Sequence, residues 1–443
     1  MLAFLFTGLY KLMNTLSELK TGKLAGAKHL QLVEQLSEFP TDIFKLADTL
    51  EVLDLSNNNL SDLPDEFACL HRLKRVFLSF NQFKHIPTVL VKCPALIMVA
   101  FKGNKISEFA PNSLPKNIEW LILTDNNLHE LPDDFGNYTQ LKKLALAGNN
   151  LKNLPASMAN CTNLELVRLS ANNLIKLDDW LLELPKLAWL AFAGNNFNKA
   201  QCLTKSTLKN TPLENFQLKK VIGQGASGVI HLAKTEHNNV AVKLFKGAIT
   251  SDGYPLDEVN CCLQAANHAN LIKVLSYIEQ SEQLGLVMEL IDSNYTNLGL
   301  PPSLETCTRD TFNDGCNYLI EAVYKIAKQM ANTLTHLHTN KVSHGDIYAH
   351  NTMINEHYDV LFGDFGAATN LVMLSEYQQQ QIQLIEVRAF GCLIEDLLST
   401  VSAAVKQDEL FGKMSDIAAR STNSAIVSRP SFKALSTLLN ELV

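Results

Sequence analysis

A motif that returns every 22 or 23 residues dominates the first half of this 443-residue chain. In residues 50–60, leucines at fixed positions are followed by Asn58, and the same frame recurs six times. The later copies have their asparagine at Asn81, Asn104, Asn126, Asn149, Asn172 and Asn195. Since one copy cannot bury its apolar face alone and a stack of copies can, the period predicts a solenoid.

Each residue type in the motif has a structural reason. Leucines that flank one intervening position, such as Leu53 and Leu55, face inward from a short strand and contact the neighbouring copy. The asparagine amide can bond backbone groups that the next turn leaves unpaired. The pattern LxxLxLxxNxL resembles the leucine-rich repeat, which implies an α/β solenoid of seven repeats. Residues 24–44 resemble a degenerate first repeat that caps the stack.

The positions between the inward leucines predict where the solenoid binds a partner. They face the concave side and combine aromatic residues with basic neighbours, which favours a protein partner. The aromatic candidates for that contact are Phe77, Trp120 and Trp189. The same positions also hold Asp54, Arg75, Met98, Lys102, Ile122, Lys143 and Arg168. In the alternative interpretation, some of these side chains only fill space between repeats.

Composition excludes several classes of protein. Hydrophobic residues make up 47% of the chain and charged residues 19%, which is typical of a globular protein and not of a disordered one. The net charge of -7 argues against a general nucleic-acid binder. Nine scattered cysteines without a CxxC pair fit neither a disulfide framework nor a zinc site, and they favour a reducing, cytoplasmic location. The apolar run in residues 1–10 is shorter than the roughly 20 residues that span a bilayer, so we expect no membrane span.

The charge balance divides the chain in two. Residues 1–212 hold 22 Lys and Arg against 20 Asp and Glu, whereas the remainder holds 16 against 25. The repeat period also stops after Asn195, and a polar segment leads to Pro212. We therefore predict leucine-rich repeats over residues 24–201, a linker over 202–213 and a second domain over 214–443. Residues 1–23 would be an N-terminal segment, with an over-extended start as the alternative interpretation.

Four short motifs follow one another in the second domain. Residues 223–230 read GQGASGVI, 240–243 read VAVK, 344–351 read HGDIYAHN and 363–366 read GDFG. Their order matches the glycine loop, VAIK, HRDxxxxN and DFG motifs of protein kinases. The domain therefore resembles a eukaryotic-type protein kinase, which implies an α+β bilobal fold that binds ATP and Mg²⁺ or Mn²⁺.

The resemblance implies a role for each motif residue. Gly223, Gly225 and Gly228 would let the backbone approach the ATP phosphates, and Lys243 would contact the α- and β-phosphates. Glu258 is the candidate partner of Lys243 on the following helix, with Asp257 as its rival.

The remaining site residues follow from the same resemblance. Asp346 would accept the proton of the substrate hydroxyl, and the oxygens of Asn351 and Asp364 would bind the metal ions. Residues 287–291 resemble the hinge segment that bonds adenine. The residues expected to line the nucleotide site are Ile230, Ala241, Met288, Glu289 and Ile291.

The domain departs from the family pattern at several positions. Gly345 replaces the arginine that normally precedes the catalytic aspartate, and Tyr348 stands where serine/threonine kinases have a lysine. No APE motif follows Asp364, and only 22 residues separate it from Glu386, which resembles the aspartate of the DxWxxG helix. Arg429 resembles the late arginine that usually pairs with the missing APE glutamate.

These observations predict a protein kinase that phosphorylates Ser or Thr hydroxyls of a target bound by the repeats. No phosphate, metal or proton ligand is missing, so we favour an active enzyme. Two alternatives remain. The domain could be an inactive scaffold that binds nucleotide and protein partners, or it could phosphorylate a non-peptide substrate, which the short activation segment would permit.

Overall fold

A computed structural model describes residues 14–199, 208–225, 227–236, 238–247, 253–280 and 283–442. This part of the chain forms two compact units, divided between Leu184 and Pro185. The start of the predicted N-terminal segment and residues 202–207 of the predicted linker lie outside the described residues. The boundaries inferred from the sequence stay predictions, and the division by contacts falls before the seventh repeat.

A parallel sheet runs through the first unit. Its strands are β1 (His29–Gln31), β2 (Val52–Asp54), β3 (Arg75–Phe77), β4 (Met98–Ala100), β5 (Trp120–Ile122), β6 (Lys143–Ala145) and β7 (Leu166–Arg168). Each strand pairs in parallel with the next one along the chain. The strands return at the period of the sequence motif, which confirms the predicted repeats. The unit also contains helices α1 (Leu16–Lys20) and α2 (Asp179–Leu182).

Short 3-10 helices occupy the segments that return from one strand to the next. They span Thr41–Leu46, Asp65–Cys69, Thr88–Lys92, Phe135–Asn137 and Ala156–Asn160. Four of them follow a proline, at Pro40, Pro64, Pro87 and Pro155. Proline suits this position because it has no N–H that the start of a helix would leave unpaired.

The motif asparagines form a ladder of buried side chains. Asn126 donates from Nδ2 to the carbonyl oxygens of Phe101 and Leu123, at 2.9 and 3.1 Å. Its Oδ1 accepts the backbone N–H of Ile106 at 2.9 Å. Asn81, Asn149 and Asn172 make the same three contacts in their own repeats. The asparagine therefore has the role predicted for it, and it also joins consecutive repeats.

The second unit begins with strand β8 (Trp189–Ala191) and continues into an antiparallel sheet. The sheet order is β12-β13-β11-β10-β9. Its strands are β9 (Gln217–Gln224), β10 (Gly228–Lys234), β11 (Asn239–Phe245), β12 (Val274–Gln280) and β13 (Gln283–Glu289). Helix α3 (Pro255–Ala265) packs on this sheet through Val259 and Leu263, which lie against Phe245 and Leu286.

The rest of the second unit is mainly helical. Its helices are α4 (Ile320–Thr339), α5 (Glu376–Thr400), α6 (Glu409–Ser421) and α7 (Phe432–Glu441). Short strands lie around them: β14 (Thr296–Asn297), β15 (Val342–Ser343), β16 (Thr352–Ile354), β17 (Val360–Phe362) and β18 (Thr369–Asn370). A strand-rich part followed by a helical part confirms the predicted α+β fold. Within the described residues, no helix has the length and apolar character that crossing a bilayer requires.

Candidate active site

A cavity of about 640 Å³ lies between the antiparallel sheet and the helical part of the second unit. This volume is within the range of small-molecule sites. All but one of the residues predicted to bind nucleotide or metal line the cavity. The predicted site residues that line the cavity are Gly225, Gly228, Ile230, Ala241, Lys243, Glu258, Met288, Glu289, Ile291, Asp346, Asn351 and Asp364.

The glycine loop joins β9 to β10 above this cavity. Gly225 donates its N–H to the carbonyl oxygen of Gly228 at 3.0 Å, which closes the turn. A Cβ atom at Gly228 would lie 2.6 Å from the carbonyl oxygen of Leu244, so the close approach of β10 to β11 requires glycine here. Gly223 is the exception among the predicted residues, because it faces Ile230 in the ladder and does not line the cavity.

Lys243 on β11 forms a buried ion pair with Glu258 on α3. Burial alone would lower the pKa of Lys243, but the negative charges of Glu258 and Asp364 outweigh it and raise this pKa. The lysine is therefore held charged at the wall of the cavity. Asp257, the rival candidate, has its carboxylate beside Gly194.

The predicted catalytic loop, residues 344–351 and called the catalytic loop below, holds Asp346 at the cavity by contacts on both sides of it. Asn351 donates from Nδ2 to the carbonyl oxygen and to Oδ2 of Asp346, at 2.9 and 3.0 Å. The backbone N–H of Asp346 donates to Nδ1 of His344 at 3.3 Å. His344 is fully buried and stacks on Phe362, with 4.1 Å between ring centroids. It therefore supports the loop from behind.

Asp364 follows β17 in the left-handed region, with φ of 61°. Its carboxylate accepts the N–H of Gly366 at 3.4 Å, so the side chain is fixed at the start of the next turn. Burial would raise the pKa of Asp364, but the charge of Lys243 outweighs it and lowers this pKa. An ionised carboxylate and the amide oxygen of Asn351 suit Mg²⁺, which takes few protein ligands and keeps several waters. The described residues include no cluster of three His, Cys, Asp or Glu side chains that would form a full metal cage.

The predicted hinge runs from the end of β13 into the next segment. Met288 pairs with Ala241 of β11 in the ladder. The N–H of Glu289 donates to the carbonyl oxygen of Lys273 at 2.9 Å, which ties this segment to the strand beside it. Met288, Glu289 and Ile291 all line the cavity.

Two carboxylates hold the catalytic loop without lining the cavity. Glu386 on α5 accepts the N–H of Gly345 at 2.6 Å and contacts Nε2 of His338 at 2.5 Å. Glu386 is the residue that resembles the aspartate of the DxWxxG helix, and it lies 22 residues after Asp364.

Asp310 is the second carboxylate, and sequence reasoning missed it. Its two oxygens accept the N–H of Ala349 at 2.7 Å and contact Nδ1 of His350 at 3.1 Å. Asp310 lies in the segment before α4, in no recognised motif, and only the folded chain brings it to the catalytic loop.

The prediction that Trp189 faces a protein partner is wrong. Trp189 is only 2% exposed, and its Nε1–H donates to the carbonyl oxygen of Ile347 at 3.0 Å. Its ring stacks on Tyr348 in the catalytic loop. Phe77 and Trp120 are also 2% exposed, and Lys143 lies over the Trp120 ring at 4.2 Å. A partner contact through these two residues stays a prediction.

Family models match both parts of the chain. The protein kinase domain model matches residues 216–384, and the leucine rich repeat model matches residues 29–83. These matches agree with the order of domains inferred from the motifs.

Curated relatives match the chain at modest identity. The CTD kinase subunit alpha of Schizosaccharomyces pombe is 24% identical over 43% of this chain and 34% of its own length. The serine/threonine-protein kinase PITSLRE of Drosophila melanogaster is 26% identical over 42% of this chain and 21% of its own length. The putative neurotrophin receptor LTRK 1 of Lymnaea stagnalis is 26% identical over 44% of this chain and 26% of its own length. The chain thus spans about a third or less of the length of these three relatives.

Proposed function

The chain joins leucine-rich repeats to a protein kinase domain, and we propose that it transfers the γ-phosphoryl group of ATP to Ser or Thr hydroxyls of a protein bound by the repeats. The observation that carries this proposal is the meeting of Lys243, Asp346, Asn351 and Asp364 at one cavity. The chain brings these four side chains together from β11, the catalytic loop and the turn after β17.

The side of the cavity that would bind phosphate combines glycine backbone with a positively charged side chain. The backbone of Gly225 and Gly228 allows a phosphate to approach without a clash, and Lys243 holds a positive charge there. Glu258 keeps the lysine ionised and limits its motion. Asn351 and Asp364 would hold Mg²⁺, which would offset negative charge on the phosphoryl group during transfer.

The acceptor side of the site depends on Asp346. Its Oδ2 is oriented by the amide of Asn351, so the carboxylate has a defined direction. In the proposed reaction, Asp346 accepts the proton of the acceptor hydroxyl and orients the oxygen for in-line attack.

The proposal also specifies the acceptor residue, the recruitment of the target and the location of the protein. One relative is named as a serine/threonine-protein kinase, which favours Ser and Thr as acceptors. Recruitment of the target by the repeats rests on their common use as binding surfaces. The cytoplasmic location also stays a prediction, which subcellular fractionation of cells that express the chain would test.

The substitution Asp346→Asn tests the proposal directly. We expect the full chain, incubated with labelled ATP, Mg²⁺ and a general protein acceptor, to label itself or the acceptor. D346N should lower this rate about 10²–10⁴-fold, because the amide cannot accept the proton. Binding of a fluorescent nucleotide should change little. The matched control is Asp314→Asn, since Asp314 is an exposed aspartate in the same unit.

Each alternative predicts another result. A chain that binds nucleotide but transfers no label, with D346N behaving identically, would be a scaffold. Labelling of small metabolites and never of proteins would indicate a non-peptide substrate. Phosphoamino-acid analysis of the labelled protein separates Ser and Thr from Tyr.

A further inference from the structure

The seventh repeat, residues 185–199, belongs to the same compact unit as the kinase domain. It includes β8 and has the motif leucines and Asn195 of a regular repeat. The amide of Asn195 bonds the carbonyl oxygen of Phe192 at 2.8 Å, as the motif predicts. Its other side chains, however, contact the catalytic machinery.

The first contact is an aromatic stack against the catalytic loop. The ring centroids of Trp189 and Tyr348 are 4.8 Å apart, and the two ring planes are parallel to within 2°. Both side chains are almost fully buried. Since Tyr348 lies two residues after Asp346 and Trp189 also bonds the carbonyl oxygen of Ile347, the tryptophan fixes the loop just after the catalytic aspartate.

The repeat also lies close to Gly345, the glycine that replaces the usual arginine before Asp346. Gly345 has φ of +72°, a conformation that favours glycine. A Cβ atom there would lie 2.5 Å from the carbonyl oxygen of Ala367 and 3.0 Å from that of Leu190. The backbone at Ala367 therefore occupies the space that a side chain at position 345 would need, and the backbone of β8 narrows that space further.

Further hydrogen bonds join the repeat to other parts of the unit. Arg429, whose usual partner in the family is the APE glutamate that this chain lacks, donates to the carbonyl oxygen of Pro185 at 2.6 Å. Arg388 on α5 donates to the carbonyl oxygen of Lys186 at 3.0 Å. The N–H of Phe192 donates to Oγ1 of Thr369 on β18 at 3.5 Å.

The end of the repeat contacts the start of α3. A Cβ atom at Gly194, which has φ of +74°, would lie 2.5 Å from the ring of Tyr254 and 2.7 Å from Oδ2 of Asp257. Lys199 lies over the same tyrosine ring, with Nζ 5.0 Å from its centroid. Tyr254 is the N-terminal cap residue of α3, the helix that presents Glu258 to Lys243.

We propose that residues 185–199 form an internal clamp that positions the catalytic loop and helix α3, with Trp189 as a positioning residue for Asp346. The clamp contacts both elements that carry the predicted catalytic carboxylates. The segment between Asp364 and α5 is short, and the clamp adds contacts to the same loop. The loop would then be ordered by the repeat itself, without a phosphorylated activation segment.

Hydrogen exchange on the full chain tests the positioning without requiring any activity. Trp189→Ala should raise amide exchange in residues 344–351, which lose a packed neighbour, more than at the start of α3, which contacts the repeat through Gly194 and Lys199. Trp189→Phe keeps a ring for the stack and should largely restore protection. Trp180→Ala, on α2 of the other unit, is the matched tryptophan control and should leave these segments unchanged. If W189A does not fold, Tyr348→Leu removes the same stack from the other side.

Kinetics test the consequence, which rests on the proposed function. We expect W189A to lower kcat at least ~10-fold while KM for ATP changes less than about two-fold, because Trp189, Ile347 and Tyr348 do not line the nucleotide cavity. W189F should recover most of kcat. The effects of W189A and Y348L on kcat should be less than additive in the double variant, since both single variants remove the same stack.

Specific results would overturn the clamp. Unchanged amide exchange in residues 344–351 of folded W189A would do so. So would a rise in amide exchange that is uniform throughout W189A and no larger than the rise in W180A. Equal effects on kcat and on KM for ATP, or additive effects in the double variant, would also contradict it. A wild-type chain without transferase activity would contradict the proposed function only, and the exchange data would still decide the clamp.

Discussion

The ring nitrogens of His344 have two different hydrogen-bonding roles. Nε2 contacts the carbonyl oxygen of Gly363 at 2.9 Å, and a carbonyl can only accept. Nδ1 contacts the N–H of Asp346 at 3.3 Å, and this N–H can only donate. Together these contacts require the neutral imidazole, because a protonated ring would have no acceptor for Asp346. Burial lowers the pKa of His344, although Glu386 and Asp346 oppose the effect.

Stability should therefore fall as the pH decreases below about 6.5, the ordinary pKa of histidine. In this range the unfolded chain binds a proton at position 344 that the folded chain excludes, so protonation favours unfolding. The slope from this group reaches at most ~1.4 kcal/mol per pH unit. His268, whose pKa is also lowered by burial, adds to the slope. Denaturant titrations of the full chain between pH 7.5 and 5.5 measure it.

The matched variants are His344→Gln and His129→Gln. H344Q should flatten the pH dependence because the buried titrating group is gone, even if its stability at pH 7.5 is lower. H129Q replaces an exposed histidine and should keep the wild-type slope. An H344Q slope equal to that of wild type would mean that His344 is not the group responsible.

Residues within a motif could be predicted, and residues outside one could not. Lys243, Asp346 and Asp364 are recognisable because their spacing repeats a known order, and the structure brings all three to the cavity. Asp310 has no such spacing, although it bonds the same loop. Trp189 was misassigned because its motif position indicates only which side of the strand it occupies.

At the scale of elements, the asparagine ladder joins each repeat to the one before it. Three hydrogen bonds of the Asn126 side chain involve backbone groups of two repeats, at Phe101, Ile106 and Leu123. All three bonds are buried, so losing the side chain leaves polar groups without water or a partner.

We expect Asn126→Ala to lower the free energy of unfolding of the first unit by about 2–4 kcal/mol, measured by chemical denaturation. Asn127→Ala is the matched control, because Asn127 is the adjacent residue and is exposed. Its effect should be within about 0.5 kcal/mol of zero. Equal destabilisation by the two variants would show that the lost stability comes from placing alanine in this turn and not from the hydrogen bonds of Asn126.

The element boundaries show what a repeat period can predict. Strands β2 to β7 lie where the leucine pattern expected them, since each must face the same core. The 3-10 helices between them were not predicted, because only a proline marks where most of them begin. The short segment before α5 was evident from the count of residues after Asp364, but its contacts were not.

At the scale of the whole molecule, the contacts divide the chain at residue 184, before the last repeat, and not in the linker expected from the sequence. A chain that begins at residue 185 should therefore unfold cooperatively, because it keeps Trp189 on Tyr348 and Arg429 on Pro185. A chain that begins at residue 208 loses these contacts. It should have a thermal midpoint lower by several degrees, about what 1–2 kcal/mol corresponds to in a domain of this size.

Calorimetry and circular dichroism of the two shortened chains measure this difference. The full chain is the reference for both. Equal thermal midpoints for the two shortened chains would show that the seventh repeat adds no stability to the second unit. The cooperative unit would then begin in the predicted linker and not at residue 185.

The sequence by itself determined the repeats and the order of the two domains, and it predicted residues that the structure brings to one cavity. These features depend on local periods and on spacings within one motif, which can be read along the chain. Only the tertiary structure decided that the last repeat supports the catalytic loop. The bond from Trp189 to Ile347 joins residues 158 positions apart, and no local pattern specifies a contact over that separation. It forms because folding of the second unit buries both groups together.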